Sequence, residues 1–463
     1  MVLENKNSLD MNNLIEKYNV PGPRYTSYPT VPFWNKDGIA LETWKKSVQQ
    51  SFEESNDSQG ISLYIHLPFC ESLCTFCACH KHITKNHAVE KPYLQTLLKE
   101  WDLYCNLLGS RPKIKEIHLG GGTPTFFSPQ HLKMLIEGIF KKADRFSDFE
   151  FSYEAHPNHT DLEQLQLLYD LGARRNSFGV QDYNPVVQKA INRIHDFEKV
   201  KAVHDASKSI GYESISHDLV FGLPFQTLQN IEHTIERTIE LMPARIAYYS
   251  YAHVPWIKGV GQRGFKDADL PKNEEKRALY EYGKKKFLEH GYQEIGLDHF
   301  ALPSDKLFKA LKSKRLHRNF MGYTAGKTAL MIGLGMSSIS DSWYAFAQNE
   351  KSLAGYMKKV EQGVFPIFKG DLLSNTDLII RKHILELMCG LETEIKFDSL
   401  ESQEWEGILE RLQEFVKDDL LSIDQNKIKV KDQGRMFIRN ICMAFDLRLI
   451  KNKPETRVFS MTV

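Results

Sequence analysis

Four cysteines stand within ten residues of one another: Cys70, Cys74, Cys77 and Cys79. The spacing Cys-x3-Cys-x2-Cys-x-Cys lets one loop wrap several thiolates around a single inorganic centre. An iron–sulfur cluster normally takes four thiolates. If only three bind, one iron stays open, as catalytic metal sites keep a position free. Such an iron can chelate the amino and carboxylate groups of a methionine moiety. Zinc is the competing reading, with His80, His82 or His87 completing the set. Zinc sites, however, draw ligand pairs from separated segments, and Cys77-Ala78-Cys79 is too tight for both thiols to face one metal comfortably. Cys105, Cys389 and Cys442 lie in helix-like stretches and read as small buried hydrophobes. An odd total of seven, with no export signal, gives no disulfide framework.

A second feature lies beyond the cysteine loop: Leu119-Gly120-Gly121-Gly122-Thr123-Pro124-Thr125. Glycines let backbone approach a ligand closely, although alone they also make an ordinary tight turn. Further polar residues punctuate the chain at Glu154, Gln181, Arg193 and Asp218. Singly, each reads as a solvated strand end, a helix cap or a surface residue. Only a shared location would make them a site.

The elements that must position them form a rhythm from residue 61 to about 255. Strand-like runs cover 62–67, 114–119, 149–154, 175–180, 214–220 and 245–251. Amphipathic stretches at 93–107, 130–142, 162–171 and 231–241 lie between them. Such alternation implies parallel strands joined by crossovers. Six units fit either a doubly wound sheet or an incomplete barrel, and periodicity does not separate the two. In a barrel, chemistry sits at the strands' C-terminal ends. The residues there are Cys70, the Gly120–Gly122 run, Glu154, Gln181, Asp218 and Ala252-His253.

Before this rhythm, the run from Pro21 to Thr30 is too rich in proline for a helix interior or a central strand. It reads as an extended segment lying on something else. After it, Ser374-Asn375-Thr376 starts a helix over 377–388, with Gly390 as its stop. A second helix is expected over 404–415, a hairpin around Asp424-Gln425-Asn426, and a third helix over 434–445. This order resembles a winged helix, and the absence of a basic run favours a structural lid over DNA binding. The expected domains are 1–45, 46–295 and 296–463.

Composition narrows the function classes. Lys and Arg total 60 against 59 for Asp and Glu. That balance offers no positive field for nucleic acid or a membrane surface. No apolar run approaches the length of a membrane span. The first thirteen residues lack an apolar core after a basic start, so they do not read as a secretory signal. The expectation is a soluble cytoplasmic protein, and, without an obvious coiled coil, a monomer.

The Cys70, Cys74 and Cys77 spacing after the first strand, with the glycine run beyond it, resembles the radical S-adenosylmethionine (SAM) superfamily. Further along, Cys79, Gly179-Val180-Gln181-Asp182 and the segment from Asp218 to Pro224 resemble one subgroup. So do Tyr251-Ala252-His253-Val254-Pro255, Gly296-Leu297-Asp298-His299-Phe300, His317-Arg318-Asn319-Phe320, the segment from Gly333 to Ser340 and the segment from Arg24 to Pro29. These match the family of oxygen-independent coproporphyrinogen III oxidases of haem synthesis over nearly the whole chain. One departure is Ala78, where the family is expected to carry glycine.

The resemblance implies an α/β fold, an incomplete (β/α)6 TIM-like barrel. An N-terminal segment would lie over the active site, and a mainly helical, winged-helix-like domain would complete the chain. It implies a [4Fe–4S] cluster on Cys70, Cys74 and Cys77, with Cys79 acting in the reaction or in positioning. Two S-adenosylmethionine molecules are implied. The first would touch Tyr64, Gly121, Glu154 and Ile339; the second would touch Phe76, Gly122, Thr123, Gln181, Arg193, Asp218 and Ala252. The implied reaction converts two propionates of coproporphyrinogen III to vinyl groups, giving protoporphyrinogen IX, with flavodoxin or ferredoxin as electron donor. The substrate's carboxylates need cationic partners, for which Arg24, His317 and Arg318 are candidates. A haem chaperone of the same superfamily is the alternative. Such relatives usually lack the fourth cysteine that Cys79 preserves and the Pro-rich N-terminal segment.

Overall fold

Continuous apolar character decides the central sheet. In a computed structural model, which describes residues 11, 13–255, 261–454, 456 and 458–462 (and at 273 the backbone alone), all seven residues of strand β1, Ile61–Leu67, are buried. Strands covered on both faces by helices have this pattern. The next five are β2 (Lys113–Gly121), β3 (Asp144–Ala155), β4 (Arg175–Gln181), β5 (Ser214–Phe221) and β6 (Arg245–Ser250). They lie side by side in chain order, all parallel.

The crossovers carry helices α1 (Leu41–Ser55, before β1), α2 (Glu90–Leu108), α3 (Pro129–Phe140), α4 (Leu162–Asp170), α5 (Phe197–Ile210), α6 (Leu228–Leu241) and α7 (Asn273–Glu289, after β6). Each of the crossover helices α2 to α6 buries one stripe. On α2 it is Tyr93, Leu94, Leu97, Trp101, Tyr104 and Leu108, the i, i+3, i+4 pattern of a core-facing helix. A capping box between Asp161 and Gln164 starts α4.

The barrel is incomplete. Beyond β6 the sheet continues through β8 (His299–Ala301) and β7 (Gln293–Gly296), both antiparallel. On the other side β1 pairs in parallel with β9 (Leu330–Leu334), and the sheet runs on through β10 (Ile339–Asp341), β11 (Ala345–Asn349) and β12 (Ile367–Leu372). The two ends of the six-stranded run therefore pair with other strands and not with each other. Strand β3 starts five residues earlier than expected, because four of the five added residues are polar and exposed, with half-buried Phe146 the one apolar side chain among them.

Packing groups the chain into two units. The larger is residues 37–308 with 328–372, and the smaller is 1–36 with 309–327 and 373–463. The expected cuts were at 45 and 295. Residues 328–372 stay with the larger unit because β9 is hydrogen-bonded to β1.

In the smaller unit, helix α8 (Asn375–Gly390) opens on a capping box between Ser374 and Asp377. It runs through Gly390 and ends at Leu391, whose φ of 59° makes the turn. Helix α9 is Ser402–Lys417. The expected hairpin is present, Leu421–Asp424 against Lys427–Val430, with Glu392–Glu394 added as a third strand. The third helix is broken: a 3-10 turn over Asp432–Phe437 leads into Ile438–Met443, and Asp446 caps a further turn, Leu447–Lys451. The Pro-rich segment is not extended throughout, since it turns at Tyr25, whose φ is 47°, and bends over residues 26–29; it packs within this unit. Gly22 N–H donates to the Ser460 carbonyl, and Tyr25 donates to Asp446 at 3.0 Å.

Among the described residues no helix is long and apolar enough to cross a membrane. The residues read for a leader, 1–10 and 12, lie outside the described residues.

Candidate functional site

The site is built from the turns and loops that leave the C-terminal ends of the larger unit's strands. After β1 the chain makes one more short pairing, Phe69–Cys70 parallel to His82–Ile83. His82 N–H donates to the Pro68 carbonyl and Thr84 N–H to that of Cys70, at 2.8 and 2.9 Å. These bonds close the cysteine loop at its base. Its middle is fixed to the short helix Pro185–Ala190 and the turn after it: Thr75 N–H donates to Ile191, Thr75 Oγ to the Ala190 carbonyl, and Asn192 to the Leu73 carbonyl.

Two donors are aimed at the sulfurs. Thr123 Oγ stands 3.4 Å from Cys70 Sγ and Arg193 Nη1 3.6 Å from Cys74 Sγ. The thiol of Cys79 hydrogen-bonds the sulfur of Cys77 and holds it below the ordinary thiol range. Burial pushes Cys70 up to about 11. Cys70, Cys74 and Cys77 are half-buried, whereas Cys79 is exposed. Lys81 donates to the carbonyls of Cys77 and Cys79. Ala78 is exposed, so its extra methyl does not crowd the loop.

These residues fit a four-iron cluster. Half-buried thiols on a closed loop, with N–H and O–H donors at two sulfurs, suit thiolates sharing negative charge with a cluster. Among the described residues no three His, Cys, Asp or Glu side chains converge on a point where one metal ion could sit. A cluster makes no such demand, since each thiolate binds its own iron. Of the histidines considered for zinc, His87 donates to Glu90 at 2.6 Å and His82 is exposed.

The glycine run ends β2 beside this loop. Gly122 N–H donates to the Leu67 carbonyl and Thr123 N–H to that of Phe69. A methyl placed on Gly122 would stand 2.5 Å from the Pro68 carbonyl oxygen. That oxygen is backbone held by the loop's own closing bond, so it has no room to yield. Gly122→Ala should cost about 1–3 kcal/mol of stability by overpacking. It should also lower the iron retained after anaerobic reconstitution, read by melting and iron assay. Full iron at an unchanged melting temperature would remove this role. Gly121 has a φ of +115° and its N–H donates to Glu154 at 3.2 Å.

The remaining expected residues fall into neighbouring places. Tyr64 is buried on β1, its hydroxyl donating to His66 Nδ1 at 3.1 Å while His66 Nε2 donates to the His80 carbonyl. Burial drives His66 down to about 4, so the ring is neutral. Across β1, Tyr64 is paired with Gly333, against which the Ile339 backbone packs. Arg193 donates twice to the Gly179 carbonyl, and Gln181 lies over the same glycine, with its own φ at 69°. Asp218 is paired with Gly179 in register and accepts from Ser177 at 2.7 Å. Phe76 and Ala252 are joined by Gln262, which donates to both carbonyls and accepts from Val254 N–H.

Burial, with the Glu154 charge adding to it, pushes Asp218 up to about 7 from an ordinary 3.8. The unfolded chain ionises it near 3.8 and the folded chain near 7. Ionising it therefore costs folding stability that grows as pH rises between those values. Asp218→Asn keeps an acceptor for Ser177 and removes that cost. Without ligand, this variant should unfold at a higher temperature than wild type at pH 8, and the gap should close at pH 4. An equal gap at both values would contradict the shift.

Sequence reasoning missed Gln262, Lys81 and Asp182. Gln262 is a lone polar residue in a loop and gives no signal. Lys81 comes two positions after Cys79 and reads as a surface charge. Asp182, inside a quoted motif, is fully buried and accepts from Gln226, Thr234 and the Asn184 N–H, locking the turn after Gln181.

The Radical SAM superfamily profile matches residues 64–238. The chain is 36% identical over 461 residues to the oxygen-independent coproporphyrinogen III oxidase of Escherichia coli, covering 97% of this chain and 98% of that one. It is 38% identical over 440 residues to the Helicobacter pylori protein of the same name, covering 94% and 95%. The solved structure of coproporphyrinogen III oxidase from Escherichia coli, described as a radical SAM enzyme, is similar with a TM-score of 0.86. That likeness carries 34% identity over 92% of this chain and 97% of the other.

Proposed function

The chain belongs to the oxygen-independent coproporphyrinogen III oxidases of the radical SAM superfamily, and from that premise we propose how its own residues do the work. It is an oxidoreductase of haem biosynthesis whose substrate is coproporphyrinogen III. It uses a [4Fe–4S] cluster and S-adenosylmethionine. When bound, these supply an electron and a radical that takes one hydrogen atom from a substrate propionate, so that loss of CO2 and one electron leaves a vinyl group. Done on two propionates, this gives protoporphyrinogen IX.

In this proposal Cys70, Cys74 and Cys77 hold the cluster, and Cys79 acts beside it. Donation from Thr123 and Arg193 to the sulfurs supports this, because it stabilises thiolate charge. Tyr64, Gly121, Glu154 and Ile339 place one S-adenosylmethionine. Phe76, Gly122, Thr123, Gln181, Arg193, Asp218 and Ala252 place a second. Carboxylates at Glu154 and Asp218 suit ribose hydroxyls, and Arg193 suits a carboxylate.

The observation that carries the reading is the closed cysteine loop, pinned to β1, to the glycine run and to the turn before Arg193. The reading extends to a cytoplasmic monomer reduced by flavodoxin or ferredoxin. It also gives residues 1–45 a part in holding the tetrapyrrole. A deletion of residues 1–30 that left tetrapyrrole affinity unchanged would remove that role.

Anaerobically purified protein should be brown, with iron and sulfide in equal amounts. With a reductant and S-adenosylmethionine it should turn coproporphyrinogen III into protoporphyrinogen IX. A colourless protein holding one metal ion would end the reading.

A further inference from the structure

The smaller unit buries the guanidinium of Arg318, and among the described residues no acid pairs with it. Arg318 lies on the short strand His317–Asn319, opposite Tyr323 of the strand Gly322–Thr324. It is only 4% exposed. Its guanidinium carbon sits 4.6 Å from the Tyr323 ring centroid, and Nη2 donates a long bond, 3.3 Å, to the Arg24 carbonyl. Nε and Nη1 are shielded from water and find no partner among the described residues.

The surroundings add to the charge. Arg439 is buried, and Arg24 and Arg318 join burial in pushing it down to about 9. Its own donors are taken by the carbonyls of Gly22, Pro23 and Met461. His317 is held near 3 by burial, with Arg381 and Lys327 adding to the effect. It is therefore neutral at physiological pH and drops out as a cationic candidate. Buried acids of this unit are engaged elsewhere: Asp377 with Arg448, and Asp446 with Tyr25 and the Leu449 N–H.

A guanidinium kept from water without an anion is unfavourable. Its donors match carboxylate oxygens. We infer that Arg318 is a carboxylate-binding residue, completed by an anion that the smaller unit takes up. Resting on the function proposed above, that anion is a propionate of the tetrapyrrole. Two of the substrate's four propionates are never decarboxylated. A permanent cation suits a side chain that stays ionised from substrate to product.

The test uses the full chain with its cluster and the variants Arg318→Met and Arg318→Lys. The probes are coproporphyrin III, which carries four carboxylates, and its tetramethyl ester, which carries none. Wild type should bind the acid in preference to the ester. Arg318→Met should lose about tenfold to hundredfold in affinity for the acid, as loss of a charge-assisted bond predicts. Arg318→Lys should recover part of it.

Without tetrapyrrole, Arg318→Met should melt at a higher temperature than wild type, because an uncompensated buried charge is gone. Its cluster absorption should be unchanged. A purely structural arginine gives the reverse: lower melting, with unchanged affinity in the folded fraction. That result overturns the inference, as does equal affinity for acid and ester. A wild type that binds the acid through Arg318, yet makes no protoporphyrinogen, sinks the enzymatic reading and leaves the carboxylate site standing.

Discussion

Cys70→Ala, Cys74→Ala and Cys77→Ala should each strip the protein of its brown chromophore and of S-adenosylmethionine cleavage, while Cys79→Ala should keep the chromophore. The physical difference lies in where the four thiols sit. Cys70 is fixed by the pairing at the loop's base and faces Thr123. Cys74 faces Arg193, and Cys77 N–H donates back to the Cys74 carbonyl. Cys79 alone of the four is exposed. Loss of any of the first three would leave an iron without its thiolate, and a cluster on two protein sulfurs should be lost during purification. Loss of Cys79 removes only the hydrogen bond that its thiol gives to Cys77. Iron and sulfide counts after anaerobic reconstitution decide the matter. If Cys79→Ala loses iron as fully as the others, the three-thiolate assignment is wrong.

The second large effect concerns the number of S-adenosylmethionine molecules. Asp218→Ala should leave the cluster spectrum intact and abolish conversion to protoporphyrinogen. It should lower the stoichiometry in equilibrium dialysis from two to one, because truncating a charge-assisted bond costs roughly tenfold to hundredfold in binding. Glu154→Ala should instead weaken the molecule at the cluster and suppress cleavage itself, since Glu154 accepts from Gly121 beside the loop. Arg193→Ala is not a clean probe of the second site. Its guanidinium also faces Cys74 and ties down the Gly179 carbonyl, so both the chromophore and the stoichiometry should change. Wild type that saturates at one molecule per chain would return Asp218 to the status of a strand-end carboxylate.

The six strands and most crossover helices were legible because their apolar runs are continuous or periodic, as in β1 and α2. Barrel closure was not, since periodicity carries no information on which edges pair. The pairing of β1 with β9 joins residues about 270 positions apart, beyond the reach of any local pattern. The same distance effect hid the two-unit grouping. Cysteine spacing and the glycine run exposed the core of the site because both come directly after strands. Gln262 stayed invisible because its role comes from bridging two carbonyls, Phe76 and Ala252, that are 176 positions apart in the chain. His317 looked like a cation by type, and only its burial beside Arg381 shows it to be neutral.

The short pairing of Phe69–Cys70 with His82–Ile83 has a consequence for the order of events in the enzyme's biogenesis. In small zinc modules the metal organises the chain, so removing it unfolds the domain. Here backbone hydrogen bonds already hold the ends of the loop together, and Thr75 and Asn192 anchor its middle. The entropy of ordering the ligands is therefore met in part by the polypeptide's own hydrogen bonds and not by the metal alone. Maturation can then come after translation and folding as a separate, late delivery to a finished apoprotein. Oxidative loss of the inorganic core should leave a folded, refillable enzyme, so that an episode of air exposure is repaired by reloading and not by new synthesis.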